Sequence, residues 1–270
     1  MAVRIIDAHV HVLDNYTPMA PFEDTGRYDR LLKLMDECGV EKALMLPVVA
    51  PFSPRNNEEC AAWARQHPDR LAVMADVPLD QPEAPERIRR AREELGAVAI
   101  SCYPAKSPLD WMLEPSYEGV WAAFADTGLV SNLHVTPPSY KAFFALARRY
   151  PQIKFVMNHF GLVGKSPPAD PQCGGLFEAA TLANVFVKAS AFYAIAETPW
   201  DIRCPQAMKT FARVLEGLGP EKLLWGTDWP PSSRGLTYRQ NLEIVRTIPG
   251  LGVKDLELIL GANTARVFGV

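Results

Sequence analysis

Eight times along the chain, a short apolar run of strand length gives way to a longer segment whose apolar residues recur at helical spacing. This is how a parallel sheet with crossover helices is written in a sequence. The predicted strands cover Val3 to Ile6, Lys42 to Val48, Leu71 to Val77, Ala97 to Cys102, Val130 to Val135, Lys154 to Met157, Val185 to Ala189 and Lys222 to Trp225. Helical patterns lie between and after them at Tyr28 to Cys38, Glu58 to Gln66, Glu83 to Leu95, Tyr117 to Asp126, Tyr140 to Arg149, Leu176 to Leu182, Gln206 to Leu215 and Tyr238 to Thr247. Gly or Pro marks most returns from helix to strand, at Gly39, Pro68, Gly96, Gly128, Pro151 and Gly219-Pro220, as helix stops do. So regular an alternation predicts closure into an α/β (β/α)8 barrel. A doubly wound open sheet is the alternative, but it calls for a Gly-rich phosphate turn after an early strand, and the sequence has none.

The chain has 270 residues, 48% of them hydrophobic, which suffices for one large core, and no linker-like shift in composition divides it. Residues 1–270 are therefore expected to form a single domain. A net charge of -3, with Lys and Arg scattered, offers no positive field for a nucleic acid. No apolar run reaches signal or membrane-spanning length, so no membrane association is expected. The five cysteines, Cys38, Cys60, Cys102, Cys173 and Cys204, form no C-x-x-C pair and signal neither a disulfide framework nor a thiolate zinc site, which fits a reducing cytoplasm.

Of the five histidines, His9, His11, His134 and His159 fall at or just beyond predicted strand ends, while His67 sits at a helix end and is expected at the surface. In Asp7-Ala8-His9-Val10-His11 the two-residue period of a strand puts both histidines on one face, close enough to share a metal ion. A hydrogen-bonded pair of core histidines is the plainer reading of H-x-H alone. Asp7 shares that alternation and is expected to orient its neighbours rather than bind metal. In a closed barrel His134 and His159, at the ends of the fifth and sixth strands, converge on the same mouth. The eighth strand then delivers Trp225-Gly226-Thr227-Asp228-Trp229-Pro230, with a carboxylate beside the first strand.

Taken together, Asp-Ala-His-x-His at the start, a histidine after each of two middle strands and Trp-Gly-Thr-Asp-Trp-Pro near the end resemble the amidohydrolase superfamily. Within it the chain is most similar to the amidohydrolase 2 group of TIM-barrel metal-dependent hydrolases, which includes lactonases and aminocarboxymuconate-semialdehyde-type decarboxylases. The resemblance runs to the terminal Gly261-Ala262-Asn263-Thr264-Ala265-Arg266-Val267-Phe268. It implies that His9, His11, His134 and Asp228 are metal ligands, with His159 a nearby acid or base. Zinc is the default ion for three histidines and a carboxylate, and manganese suits the same donors. Two-metal relatives carry a carboxylated lysine after the fourth strand, where this chain reads Ile100-Ser101-Cys102-Tyr103-Pro104, so one divalent ion is expected.

The chemistry implied is opening of a lactone or related carbonyl compound by water, with Asp228 or His159 moving the protons, His159 preferred because an ordinary imidazole titrates near neutral pH. Nonoxidative decarboxylation or hydration on the same ligands is the alternative enzyme, and a noncatalytic barrel the third reading. Idle buried His and Asp groups cost stability, which argues against that third reading. The substrate is expected to be a small molecule carrying a carboxylate or another polar oxygen group. The strand-end loops Thr17 to Phe22, Pro47 to Pro54, Gly164 to Gly175 and Pro230 to Gly235 are expected to shape its pocket. Tyr103, Trp229, Arg55 and Arg234 are the expected substrate contacts, with Lys106, Arg203, Tyr193 and Trp200 also in reach. Trp63, Trp121 and Cys102 are expected to be packed or buried. Whether the chain forms a homo-oligomer is left open.

Overall fold

Parallel pairing runs in sequence order around β1 (Ile6–Val10), β2 (Lys42–Met45), β3 (Leu71–Asp76), β4 (Ala99–Cys102), β5 (Val130–Leu133), β6 (Phe155–Met157), β7 (Val185–Ala189) and β8 (Leu223–Trp225). The computed structural model describes residues 3–14, 25–49, 53–165, 173–196 and 204–270. The ring closes where a parallel bridge joins Val10 to Trp229. There His11 N–H donates to Trp229 O at 2.7 Å and Asp228 N–H to His9 O at 2.8 Å. The bonds that close the barrel thus bring the first histidines beside the last acid.

The helices of the outer layer are α1 (Tyr28–Cys38), α2 (Asn56–Gln66), α3 (Ala84–Glu93), α4 (Glu118–Thr127), α5 (Tyr140–Arg149), α6 (Phe192–Ile195), α7 (Pro205–Leu218), α8 (Tyr238–Arg246), α9 (Val253–Glu257) and α10 (Asn263–Phe268). The segment expected as a helix at Leu176 to Leu182 is instead a 3-10 stretch, Cys173–Thr181. Gly39 and Gly128 end α1 and α4 in the left-handed conformation that a Cβ disfavours. One large core fills the space between strands and helices, and it takes in Trp63 and Trp121 as expected. A smaller apolar cluster, including Ile6, Leu44, Met74, Val130, Phe186 and Leu224, fills the barrel interior.

The first strand departs from its prediction. Its expected end was Ile6, where the apolar run stops, yet β1 extends to Val10. Inside a barrel mouth an inward polar residue is as much a strand residue as an outward valine. The alternation is also broken by a bulge. Asp7 pairs with Ala43 and Val10 with Met45, three steps on one strand against two on the other. Ala43 and Met45 belong to the outer core, so Asp7 faces outward with them, while the extra residue turns His9 and His11 to the interior.

Among the described residues no helix is long and apolar enough to cross a membrane. Cys38, Cys60 and Cys102 are free thiols, and Cys102 is buried as expected. Residues 17–22, Trp200 and Arg203 lie outside the described residues, as do 50–52 and 166–172 of the other two expected pocket loops. Pro230 to Gly235 is described and carries a short 3-10 turn, Pro231–Arg234.

Candidate active site

Three donor atoms meet at the barrel mouth. His9 Nε2 lies 3.2 Å from His11 Nε2. Asp228 Oδ1 lies 3.3 Å from His9 Nε2 and 3.2 Å from His11 Nε2. All three side chains are buried. Donors on a tetrahedral zinc at ~2.0 Å stand ~3.3 Å apart, and adjacent donors on a slightly larger octahedral ion stand at ~3.1 Å, so this spacing fits a divalent cation of either kind.

The orientations of these side chains are fixed from behind. His11 Nδ1 hydrogen-bonds the Leu46 carbonyl oxygen at 2.9 Å, which leaves Nε2 for the cluster. The Tyr193 hydroxyl donates to Asp228 Oδ2 at 2.8 Å, which turns Oδ1 toward the histidines. Asp228 itself has φ 58, a left-handed conformation unusual for a side-chain-bearing residue and frequent at functional sites. Gly226 lets β8 approach β1: a Cβ there would sit 2.8 Å from His9 Cβ and 3.0 Å from His9 N. Asp7, on the outer side, accepts from His9 N–H and Thr227 N–H at 3.0 Å and from the Thr227 hydroxyl at 2.7 Å. It thereby orients neighbours, as expected. Burial pushes the Asp7 carboxyl up to about 6 against the pull of those hydrogen bonds.

His159 joins from β6. Its ring is tilted over that of His9 with centroids 4.6 Å apart, and its donor atom lies within 4.8 Å of those of His9 and Asp228. It opens a left-handed turn that continues through Phe160, Gly161 and Leu162. His159 Nδ1 hydrogen-bonds Ser190 Oγ at 2.9 Å. Burial lowers its pKa to about 4, away from the near-neutral value for which it was preferred as the base, with Asp228 opposing the shift and His134, Lys188 and His11 adding to it. Burial also pushes Asp228 upward, but His159, His11 and the Tyr193 hydroxyl outweigh it and hold the carboxylate below its usual range. His9 is driven well below the ordinary imidazole value by burial first, and then by Lys188 and the neighbouring imidazoles of His159, His11 and His134.

His134 lies further out. It packs edge-on against His159 with centroids 5.9 Å apart and stacks on Tyr103 at 5.0 Å. Tyr103, at the end of β4, is 43% exposed, an apolar ring face at the mouth. Arg55, just before α2, and Arg234, in the turn after β8, are exposed on the strand-end side, as is Lys106. Trp229, expected beside the pocket, is 1% exposed within the hydrophobic core, as alternation after an inward Asp228 requires. It serves the site through its backbone carbonyl, which holds His11.

Sequence reasoning missed Lys188 and Ser190. Lys188 is fully buried, with Nζ 3.4 Å from His9 Nδ1. Its signal was legible: a charged residue inside the otherwise apolar run Val185-Phe186-Val187-Lys188-Ala189. Ser190 carried no signal, since an isolated serine after a strand is ordinary.

The family model described as Amidohydrolase matches residues 6–270. L-fucono-1,5-lactonase of Burkholderia ambifaria is 30% identical over 244 residues, covering 84% of this chain and 80% of that protein. 4-Sulfomuconolactone hydrolase of Hydrogenophaga intermedia is 25% identical over 238 residues, covering 84% of this chain and 74% of that protein. The crystal structure of an amidohydrolase from Burkholderia multivorans with bound zinc superposes with a TM-score of 0.81 at 18% identity, covering 99% of each chain. With the closed barrel and the paired histidines facing an aspartate across its seam, these matches show that the chain belongs to the amidohydrolase family.

Proposed function

We propose that this protein is a metal-dependent hydrolase that opens a lactone of a small, carboxylated substrate. The observation that carries the reading is the mutual spacing of 3.2 to 3.3 Å among His9 Nε2, His11 Nε2 and Asp228 Oδ1. Two imidazole nitrogens and a carboxylate oxygen, each within 3.3 Å of the others, make the donor set of a divalent cation site. His9, His11 and Asp228 would hold the ion, zinc by preference and manganese as the alternative, with His134 as the fourth ligand. The lactonase names of the two relatives favour a cyclic ester as substrate.

A divalent ion in this position acidifies water and polarises a carbonyl. His159 handles the protons. Its Nδ1–H is held on Ser190 Oγ, which leaves Nε2 with a free lone pair, and its depressed pKa keeps the ring neutral at pH 7. Nε2 takes the proton of the attacking water as the carbonyl carbon gains the water oxygen. The same proton then passes to the ring oxygen as that bond breaks, and a hydroxy acid leaves. Tyr103 offers a flat face to the substrate, while Arg55 and Arg234 supply cations for a carboxylate. The free thiols of Cys38, Cys60 and Cys102 fit a reducing, cytoplasmic setting.

The test is a panel of sugar lactones and carboxylated unsaturated lactones assayed on the zinc-loaded and manganese-loaded protein, with acid release and carbon dioxide followed separately. Acid release without carbon dioxide is expected. Carbon dioxide release from aromatic or muconate-type acids, with every lactone left intact, would replace hydrolysis with decarboxylation.

A further inference from the structure

Lys188 stands inside the barrel. Phe186, two residues earlier on β7, belongs to the interior apolar cluster, so alternation puts the Lys188 side chain on the same inner face, one step nearer the histidines. The residue is fully buried. Its Nζ lies 3.4 Å from His9 Nδ1 and 5.9 Å from the centre of the Phe268 ring. Among the described residues it makes no ion pair with a carboxylate. Burying an amine without such a partner is costly, and a methionine would fill nearly the same volume at no such penalty. The amine therefore needs a polar purpose, and His9 Nδ1 is the polar atom it touches.

We propose that Lys188 is a positioning residue for His9: its amine holds Nδ1 and so aims Nε2 at His11 and Asp228. The proposal rests on the metal reading of those three residues. With Nε2 turned to the cluster, Nδ1 is the ring nitrogen left facing Lys188 Nζ, 3.4 Å away. His11 and Asp228 are fixed in parallel fashion, by the Leu46 carbonyl and the Tyr193 hydroxyl, so that each of the three donors has one support from behind. Partners of this kind set ring orientation and ligand strength, and their removal weakens metal affinity roughly 10–100-fold.

The experiment compares wild type with Lys188→Met and Lys188→Gln, measuring zinc affinity by chelator competition and ligand geometry by the visible spectrum of the cobalt-substituted proteins. Thermal unfolding without metal checks that each variant folds. Lys188→Met is expected to bind zinc roughly 10–100-fold more weakly with an altered cobalt spectrum, and Lys188→Gln, which keeps a polar partner for Nδ1, to stay within about tenfold of wild type. Zinc affinity in the Met variant within about threefold of wild type overturns the proposal, as does a Gln variant no better than Met. If the Met variant does not fold, the Gln variant decides by the same tenfold limit. A wild type that takes up neither zinc nor cobalt overturns the metal reading itself, a failure distinct from unchanged affinity in the variants.

Discussion

Asp7 and Thr227, 220 residues apart, are tied by two hydrogen bonds, from the Thr227 hydroxyl at 2.7 Å and its backbone N–H at 3.0 Å. This tie lies on the outer side of the barrel seam, directly behind the inward-facing His9 and Asp228. Asp7→Ala leaves those donors and the His9 N–H buried without a partner, and is expected to lower stability by about 3–5 kcal/mol. Thr227→Val removes the hydroxyl alone and should lower it by about 1–2 kcal/mol. Urea unfolding of the metal-free proteins checks both values.

Tyr193 acts on Asp228 through one hydrogen bond to Oδ2. Tyr193→Phe is expected to fold as wild type does while binding zinc roughly tenfold more weakly, because Oδ1 loses its fixed direction. Chelator competition measures this, and a variant with unchanged affinity would detach the hydroxyl from any role in holding the ligand.

On the proposed reading His134 is a ligand and His159 the base. His159→Ala is expected to retain the ion and lose roughly 10²–10⁴-fold in kcat, the usual contribution of a positioned proton-transfer group. His134→Ala is expected to lose the ion or bind it much more weakly. Metal content and turnover measured side by side distinguish the two, and the opposite pattern would exchange the two roles.

Thiol chemistry gives an independent check on the packing. Cys60, Cys102, Cys173 and Cys204 are buried, and Cys38 alone is part-exposed. Burial pushes the Cys102 thiol up to about 12 and Cys60 well above its usual value. A disulfide-exchange reagent at pH 8 should therefore modify at most one thiol of the native protein rapidly, and all five after denaturation. Rapid reaction of several native thiols would contradict the packing.

Much of this was legible in the residues. The segments Tyr28–Cys38, Tyr140–Arg149 and Val185–Ala189 were bounded from the pattern as they stand, the two helices by their apolar period and the strand as a short, mostly apolar run. The histidines and Asp228 were legible because polar residues at the ends of apolar strands have few reasons to be there. The bulge in β1 was not, since a one-residue insertion leaves the composition unchanged and shows itself only in pairing with β2. The inward Lys188 and the core position of Trp229 follow from strand parity, which becomes readable once the register of the closed barrel is known. The left-handed turn at His159 left no trace beyond Gly161.

The central claim is that His9, His11 and Asp228 grip one divalent ion. Its most direct test is metal stoichiometry by mass spectrometry of the protein loaded with zinc and desalted, beside His11→Ala and Asp228→Ala. The account predicts one ion per wild-type chain and close to none in either folded variant. Full metal content in both variants, or none in the wild type, would contradict it.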